Sequence, residues 1–155
     1  MRPGVRVGID VGTVRIGVAR SDFHGMLATP VETVPRDKGA ADLTRIAAIV
    51  TELDAVEVVV GLPLALSGRH TASTEDAVTF AETLAATVAV PVRLVDERLS
   101  TVSAQAALRS VGRSTRTQRP VVDQVAATII LQHALDTERA SGKPAGTSVD
   151  LTGRP

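Results

Sequence analysis

A mixed α/β domain is the fold class this sequence predicts: one open sheet with helices on its faces. Three observations carry the prediction. Three short strand-like runs come first, joined by turn residues. Strand-like and helix-like segments then alternate, which adds parallel strands to the leading antiparallel meander. Finally, the chain has 155 residues, 44% of them apolar, which suits a single compact core.

Taken in order, Val5 to Ile9 reads as a buried strand and Val14 to Ala19 as a second, with a link short enough for a hairpin. Met26 to Val34 reads as a third, with Pro30 at an edge or a bulge. Ala41 to Leu53 sets Leu43, Ile46, Ala47, Val50 and Leu53 at helical spacing. The β-branched run VEVVVGL, Val56 to Leu62, is a strand ended by Gly61 and Pro63. After the polar loop ALSGRHTAS comes a helix from about Thr74 to Val88, with Ala77, Phe80, Ala81 and Leu84 on one face. Pro91 stops it, and VRLVDE is a short strand. Ser100 or Thr101 caps a further helix that ends near Gly112. The loop RSTRTQRP leads to a last helix from Val121 to about Glu138, with Pro120 near its first turn. The remaining residues lack periodicity. The expected organisation is one domain over 1–139 and a disordered tail over 140–155. The order, β-β-β-α-β-α-β-α-α, is that of a ribonuclease-H-like fold with a mixed five-stranded sheet.

Composition narrows the function. There is no Cys, so disulfides, thiolate metal sites and a cysteine nucleophile are excluded. Neither a signal peptide nor a membrane span is expected, and the protein reads as cytoplasmic. A net charge of +0 argues against coating nucleic acid by charge alone, though not against a local basic patch. With two Phe and no Trp or Tyr, there is little on which to stack bases. Any nucleic acid would be gripped by backbone and shape.

The residues that can carry chemistry are carboxylates at element ends. Asp10 closes the first strand, Asp96 and Glu97 close the last, and Asp123 falls in the first turn of the final helix. In open sheets ligands gather where strand ends open into a crevice. A carboxylate cluster without His or Cys suits a hard cation such as Mg²⁺ or Mn²⁺. Two such ions about 4 Å apart activate water and stabilise the leaving oxygen of a phosphodiester. Each acid also has a plainer reading: Asp10 as a turn residue, Asp123 as a partner for the helix dipole, and Asp96 and Glu97 with Arg98 as a solvated loop. Gly12 supplies a positive φ or a close backbone approach, and Gly17 a bulge or room for a ligand backbone.

Basic residues concentrate late, at Arg109, Arg113, Arg116 and Arg119, with no acid among them. They form either a solvated loop or a phosphate clamp. Arg98, Arg69 with His70, and Thr13 in the first turn are further candidates to face a substrate.

Four stretches, GIDVGTVRIGVA (8–19), VVVGLPLALSG (58–68), VDERLST (95–101) and VDQVAATIILQ (122–132), resemble the YqgF/RuvX family. These are RNase-H-like proteins described as pre-16S rRNA nucleases, some of them discussed as Holliday-junction resolvases. The resemblance runs from Gly4 to about Glu138. It implies that Asp10, Glu97 and Asp123 are catalytic metal-binding acids, with Asp96 able to share the task. It also implies Mg²⁺ or Mn²⁺ as cofactor. The partner would be pre-16S rRNA or a pre-ribosomal particle, or branched DNA, with the protein a monomer or a homodimer. This chain departs from the family in carrying RSTRTQRP where lysines are common. Two other classes stand beside a nuclease. One is a non-catalytic RNA- or protein-binding module. The other is a nucleotide-binding protein, since the Asp-Val-Gly-Thr turn also resembles the phosphate hairpin of sugar kinases.

Overall fold

The computed structural model describes residues 1–98 and 119–149. The helix expected from Ser100 or Thr101 to Gly112, and with it Arg109, Arg113 and Arg116, lies outside the described residues.

Strands β1 (Arg6–Val11), β2 (Arg15–Ser21) and β3 (Ala28–Pro35) form the antiparallel meander. Helix α1 (Ala41–Glu52) leads to β4 (Glu57–Leu62), which lies parallel to β1. Helix α2 (Ala72–Thr87) leads to β5 (Val92–Asp96), parallel to β4. Helix α3 (Arg119–Ser141) and a two-residue strand, β6 (Thr147–Ser148), complete the described chain. The sheet order is β3-β2-β1-β4-β5-β6. β3 is an edge strand, and Pro30 sits opposite Ala19 where the register slips between Val18 and Ala19. An edge at a bulge is where a residue without an N–H is tolerated.

Alternation along the strands sorts the two faces. Val7, Ile9, Ile16, Val18, Val58 and Val60 turn towards α1 and α2, where Ile46, Ile49, Phe80 and Leu84 close a core of large side chains. The opposite parity is small: Gly8 on β1, Gly17 and Ala19 on β2, Val59 and Gly61 on β4. Against this shallow face lies α3, through Ala127, Ile130, Leu131, Ala134 and Leu135. None of the described helices is long and apolar enough to cross a membrane.

Two expectations need correction. Among the described residues the sheet has six strands rather than five, because part of the segment expected to be disordered is pinned to β5. Arg93 donates from Nε to the carbonyl of Ala145 (2.7 Å) and from Nη2 to that of Gly146 (2.7 Å). Thr147 and Ser148 then pair with Leu94 and Arg93, covering a strand edge that would otherwise stay open. The second correction concerns α3, which is already helical at Arg119, ahead of Val121. Asp123 therefore lies beyond the first turn, and attraction to the helix dipole does not account for it.

The end of the sheet away from Asp10 carries a buried ionic cluster. Glu138 accepts from Arg2 Nε (2.9 Å) and Nη2 (2.8 Å) and from the fully buried Arg6 (3.3 Å). The Arg2 hydrogen bonds pull the Glu138 carboxyl down to about 2. A depressed carboxyl stabilises the fold above its ordinary value and loses that contribution as the pH falls through the folded one. An acid titration of stability should therefore show a loss between about pH 4.5 and about pH 2. Glu138→Gln strands the Arg6 charge and should cost about 3 kcal/mol in a denaturant melt at pH 7. Turnover below the melting range should stay unchanged.

Candidate active site

Three neighbouring parallel strands deliver their carboxyl ends to one place. The β1–β4 register pairs Ile9 with Val60, and its continuation sets Asp10 beside Gly61. Gly61 and Leu62 pair in turn with Val95 and Asp96, and the Glu97 N–H donates to the Leu62 carbonyl at 3.1 Å. Asp10 and Glu97 thus flank the end of β4. The Glu97 carboxylate lies over Gly61: a Cβ there would stand 2.7 Å from Glu97 Oε2 and 2.7 Å from Ile130 Cδ1. A side chain at position 61 would fill the space the carboxylate occupies.

Asp123 arrives from the helix. Gly17 pairs with Asp10, and a Cβ on Gly17 would overlap the Asp123 carbonyl oxygen. The glycine is thus what lets α3 cross β2 at this height and bring Asp123 over the end of β1. Gly17 gives room to the protein's own helix rather than to a ligand, and the bulge falls one residue later. Gly12 serves the turn by close approach, since a Cβ there would stand 2.6 Å from the Arg15 carbonyl.

Electrostatics separates Asp96, the last residue of β5, from Glu97 just beyond it. Asp96 is gripped by Arg98, through Nε at 2.9 Å and Nη2 at 2.6 Å, and this holds its carboxyl below the usual range. Glu97 behaves oppositely: burial first, then the Asp10 and Asp96 charges, push it up to about 7. Burial and the charge of Asp123 push Asp10 up to about 6. Asp10 and Glu97 are therefore the pair that resist ionising together. Asp123 is engaged by Arg15, whose Nε donates to Oδ2 at 2.8 Å. Among the described residues no three His, Asp or Glu side chains close into a ready cation cage. The donor set is nonetheless all hard oxygen, and a divalent ion would offset the repulsion that burial imposes.

The other expected residues are spread around this mouth. Thr13 is exposed at the tip of the β1–β2 turn, and Arg69 is exposed in the loop after β4. His70 faces Glu75 at 3.3 Å. Arg98 braces the same loop through the Leu66 carbonyl at 3.5 Å. Arg119 belongs to α3, whereas Arg113 and Arg116 lie outside the described residues. Sequence reading missed Arg15 as the partner of Asp123, since 108 residues separate them. It also missed the shared parity of Gly8, Gly17 and Gly61. That signal was present, for strand alternation alone places those glycines and Asp10 on one face.

Comparison with known proteins agrees with this geometry. A family model described as "RuvX: Holliday junction resolvase" matches residues 4–137. A protein of Leifsonia xyli subsp. xyli named "Putative pre-16S rRNA nuclease" is 69% identical, covering 97% of this chain and 97% of its own. A protein of the same name from Nocardioides sp. is 58% identical, covering 98% of this chain and 100% of its own. Among solved structures, T. thermophilus RuvC in complex with Holliday junction substrate superposes with a TM-score of 0.56 at 19% identity, covering 91% of this chain and 99% of that one. That likeness is one of fold, an RNase H-like sheet flanked by helices. With the family model spanning nearly the whole described domain, and such relatives matching from end to end, the chain belongs to the RuvX family.

Proposed function

We propose that this protein is a divalent-metal-dependent endonuclease that hydrolyses phosphodiester bonds in structured nucleic acid, and that its substrate is the 5′ end of pre-16S rRNA in the cytoplasm. The observation that carries the reading is the placement of Asp10 and Glu97 on either side of the end of β4, both with carboxyls pushed well up, by burial first and then by the charge of Asp123 on Asp10 and of Asp10 and Asp96 on Glu97. Asp10, Glu97 and Asp123 would hold Mg²⁺ or Mn²⁺. Asp96 is the lesser candidate, because Arg98 already neutralises it. When bound, such an ion supplies Lewis acidity and a water of lowered pKa. The chain's own part is to fix three carboxylates on rigid elements and to line the mouth with Thr13, Arg69 and Arg98. Arg113, Arg116 and Arg119 would add phosphate contacts. The relatives' printed name favours ribosomal RNA, as does the shortage of aromatic rings, which suits backbone and shape recognition.

The test offers purified protein a precursor 16S rRNA, assembled with ribosomal protein, and a four-way DNA junction in parallel, with Mg²⁺, with Mn²⁺ and with chelator. Metal-dependent cutting of the RNA, absent from Asp10→Asn, is the expected result. Paired symmetric nicks in the junction alone would transfer the reading to a resolvase, which the description of the family model favours. Such an enzyme needs two sites related by a two-fold axis and should size as a dimer. Binding of either substrate without cutting, unchanged in Asp10→Asn, would sink the catalytic claim.

A further inference from the structure

We propose that Arg15 is a resident counter-ion for Asp123, exchanged for a divalent cation when a nucleic-acid phosphate draws the guanidinium away, so that substrate and metal promote one another's binding. The inference rests on the reading of Asp10, Glu97 and Asp123 as metal ligands and adds a residue that this reading does not use.

The geometry separates a fixed backbone from a movable side chain. Arg15 opens β2 opposite Pro35, and its carbonyl accepts from the Gly12 N–H at 2.9 Å. The turn is braced from outside by Arg36. Its backbone N–H donates to the Val14 carbonyl at 2.9 Å, and its Nη1 donates to the Gly12 carbonyl at 2.8 Å. Arg36 is itself gripped by Asp76 of α2 at 2.8 and 3.1 Å. The Arg15 side chain, by contrast, is 32% exposed and bonds Asp123 through Nε alone. Among the described residues neither of its terminal amino groups has a partner, so the fork that matches phosphate oxygens is available. Beside the turn, Thr13, Val14, Arg36, Asp37 and Lys38 line a cleft of roughly 440 Å³. Lys38, which makes no ion pair among the described residues, adds positive charge there.

Charge bookkeeping then gives a direction. While Arg15 holds Asp123, the charge of that acid is offset and the pull on a divalent ion is weakened. A phosphate that engages the Arg15 fork releases Asp123, and the site gains one full negative charge. By linkage, a bound metal must favour nucleic acid by the same factor. A surface pair of this exposure is weak enough to exchange.

The test is a binding measurement: electron paramagnetic resonance of free Mn²⁺, titrated with protein, with and without a short phosphorothioate-substituted RNA hairpin. For the unmodified protein, RNA should tighten Mn²⁺ binding about three- to tenfold. Arg15→Gln should bind Mn²⁺ about three- to tenfold more tightly without RNA, and the effect of RNA should fall below about twofold. Arg15→Lys, which keeps the charge, should retain the coupling and serves if the glutamine variant fails to fold. Equal or weaker Mn²⁺ binding by a folded Arg15→Gln would overturn the exchange. If Asp123→Asn and Asp10→Asn lose Mn²⁺ while Arg15→Gln behaves like the parent, only the exchange falls. Should Mn²⁺ not bind the parent, or bind equally in Asp123→Asn, the metal reading itself falls and the exchange with it.

Discussion

Asp10→Asn protein is expected to lose phosphodiester cleavage by about a thousandfold or more, and yet to melt at a higher temperature than its parent at pH 8. Both effects come from one cause. Asp10 is largely buried at the end of β1, where burial and the charge of Asp123 push its carboxyl up to about 6. A carboxyl whose value is raised by folding holds its proton more tightly in the folded state than in the unfolded one. Its contribution is harmless below the unfolded value and becomes a penalty as the pH rises through the folded value. For Asp10 that window runs from about 4 to about 6, and for Glu97, which is pushed up to about 7, from about 4.5 to about 7. Asparagine keeps the shape and carries no charge, so it also relieves Glu97. The gain should be on the order of 2 kcal/mol at pH 8, or roughly 5 °C, and should vanish below about pH 4. Mg²⁺ should raise the melting temperature of the parent and leave the variant unmoved. A variant no more stable than the parent at pH 8 would mean that the two acids do not strain the site, and the case for a cation there would lose its physical basis.

That strained pair was half legible in the sequence. Strand order and the position of Asp10 at the end of an apolar run pointed to the carboxyl edge of the sheet, because an apolar strand that stops on a carboxylate needs a reason. The choice between Asp96 and Glu97 was not legible. One peptide step separates their surroundings, turning Asp96 to Arg98 and laying Glu97 over Gly61. Periodicity cannot see such a step where a strand is ending. The β6 pairing was equally hidden, since two residues give no alternation to read and their place depends on Arg93 catching two carbonyls. Sequence patterns report on faces and periods. Partners brought together across the chain, such as Arg15 and Asp123, follow only from the packing of α3 on the sheet.

That packing makes the strongest demand at Gly17. Gly17→Ala is expected to lower stability by about 3 kcal/mol, roughly 10 °C in melting temperature, and to cut turnover about a hundredfold in the protein that remains folded. The new Cβ would overlap the Asp123 carbonyl oxygen and stand 3.2 Å from the Gln124 nitrogen. Both are backbone atoms of a helix, so no rotamer change relieves the clash, and α3 must lift or slide. Lifting withdraws Ile130 and Leu131 from the sheet and moves Asp123 away from Asp10. Val7→Ala is the control. Val7 is fully buried on the other face, among the side chains of α1 and α2, and its loss should cost about 2 kcal/mol with turnover nearly unchanged below the melting range. Comparing the two at matched stability separates loosening of the fold from displacement of the site. Full turnover in a folded Gly17→Ala protein would show that the placement of Asp123 over β1 has no part in the chemistry. A deficit confined to Gly17→Ala would mean that a glycine-lined sheet face is what sets the spacing of the three carboxylates.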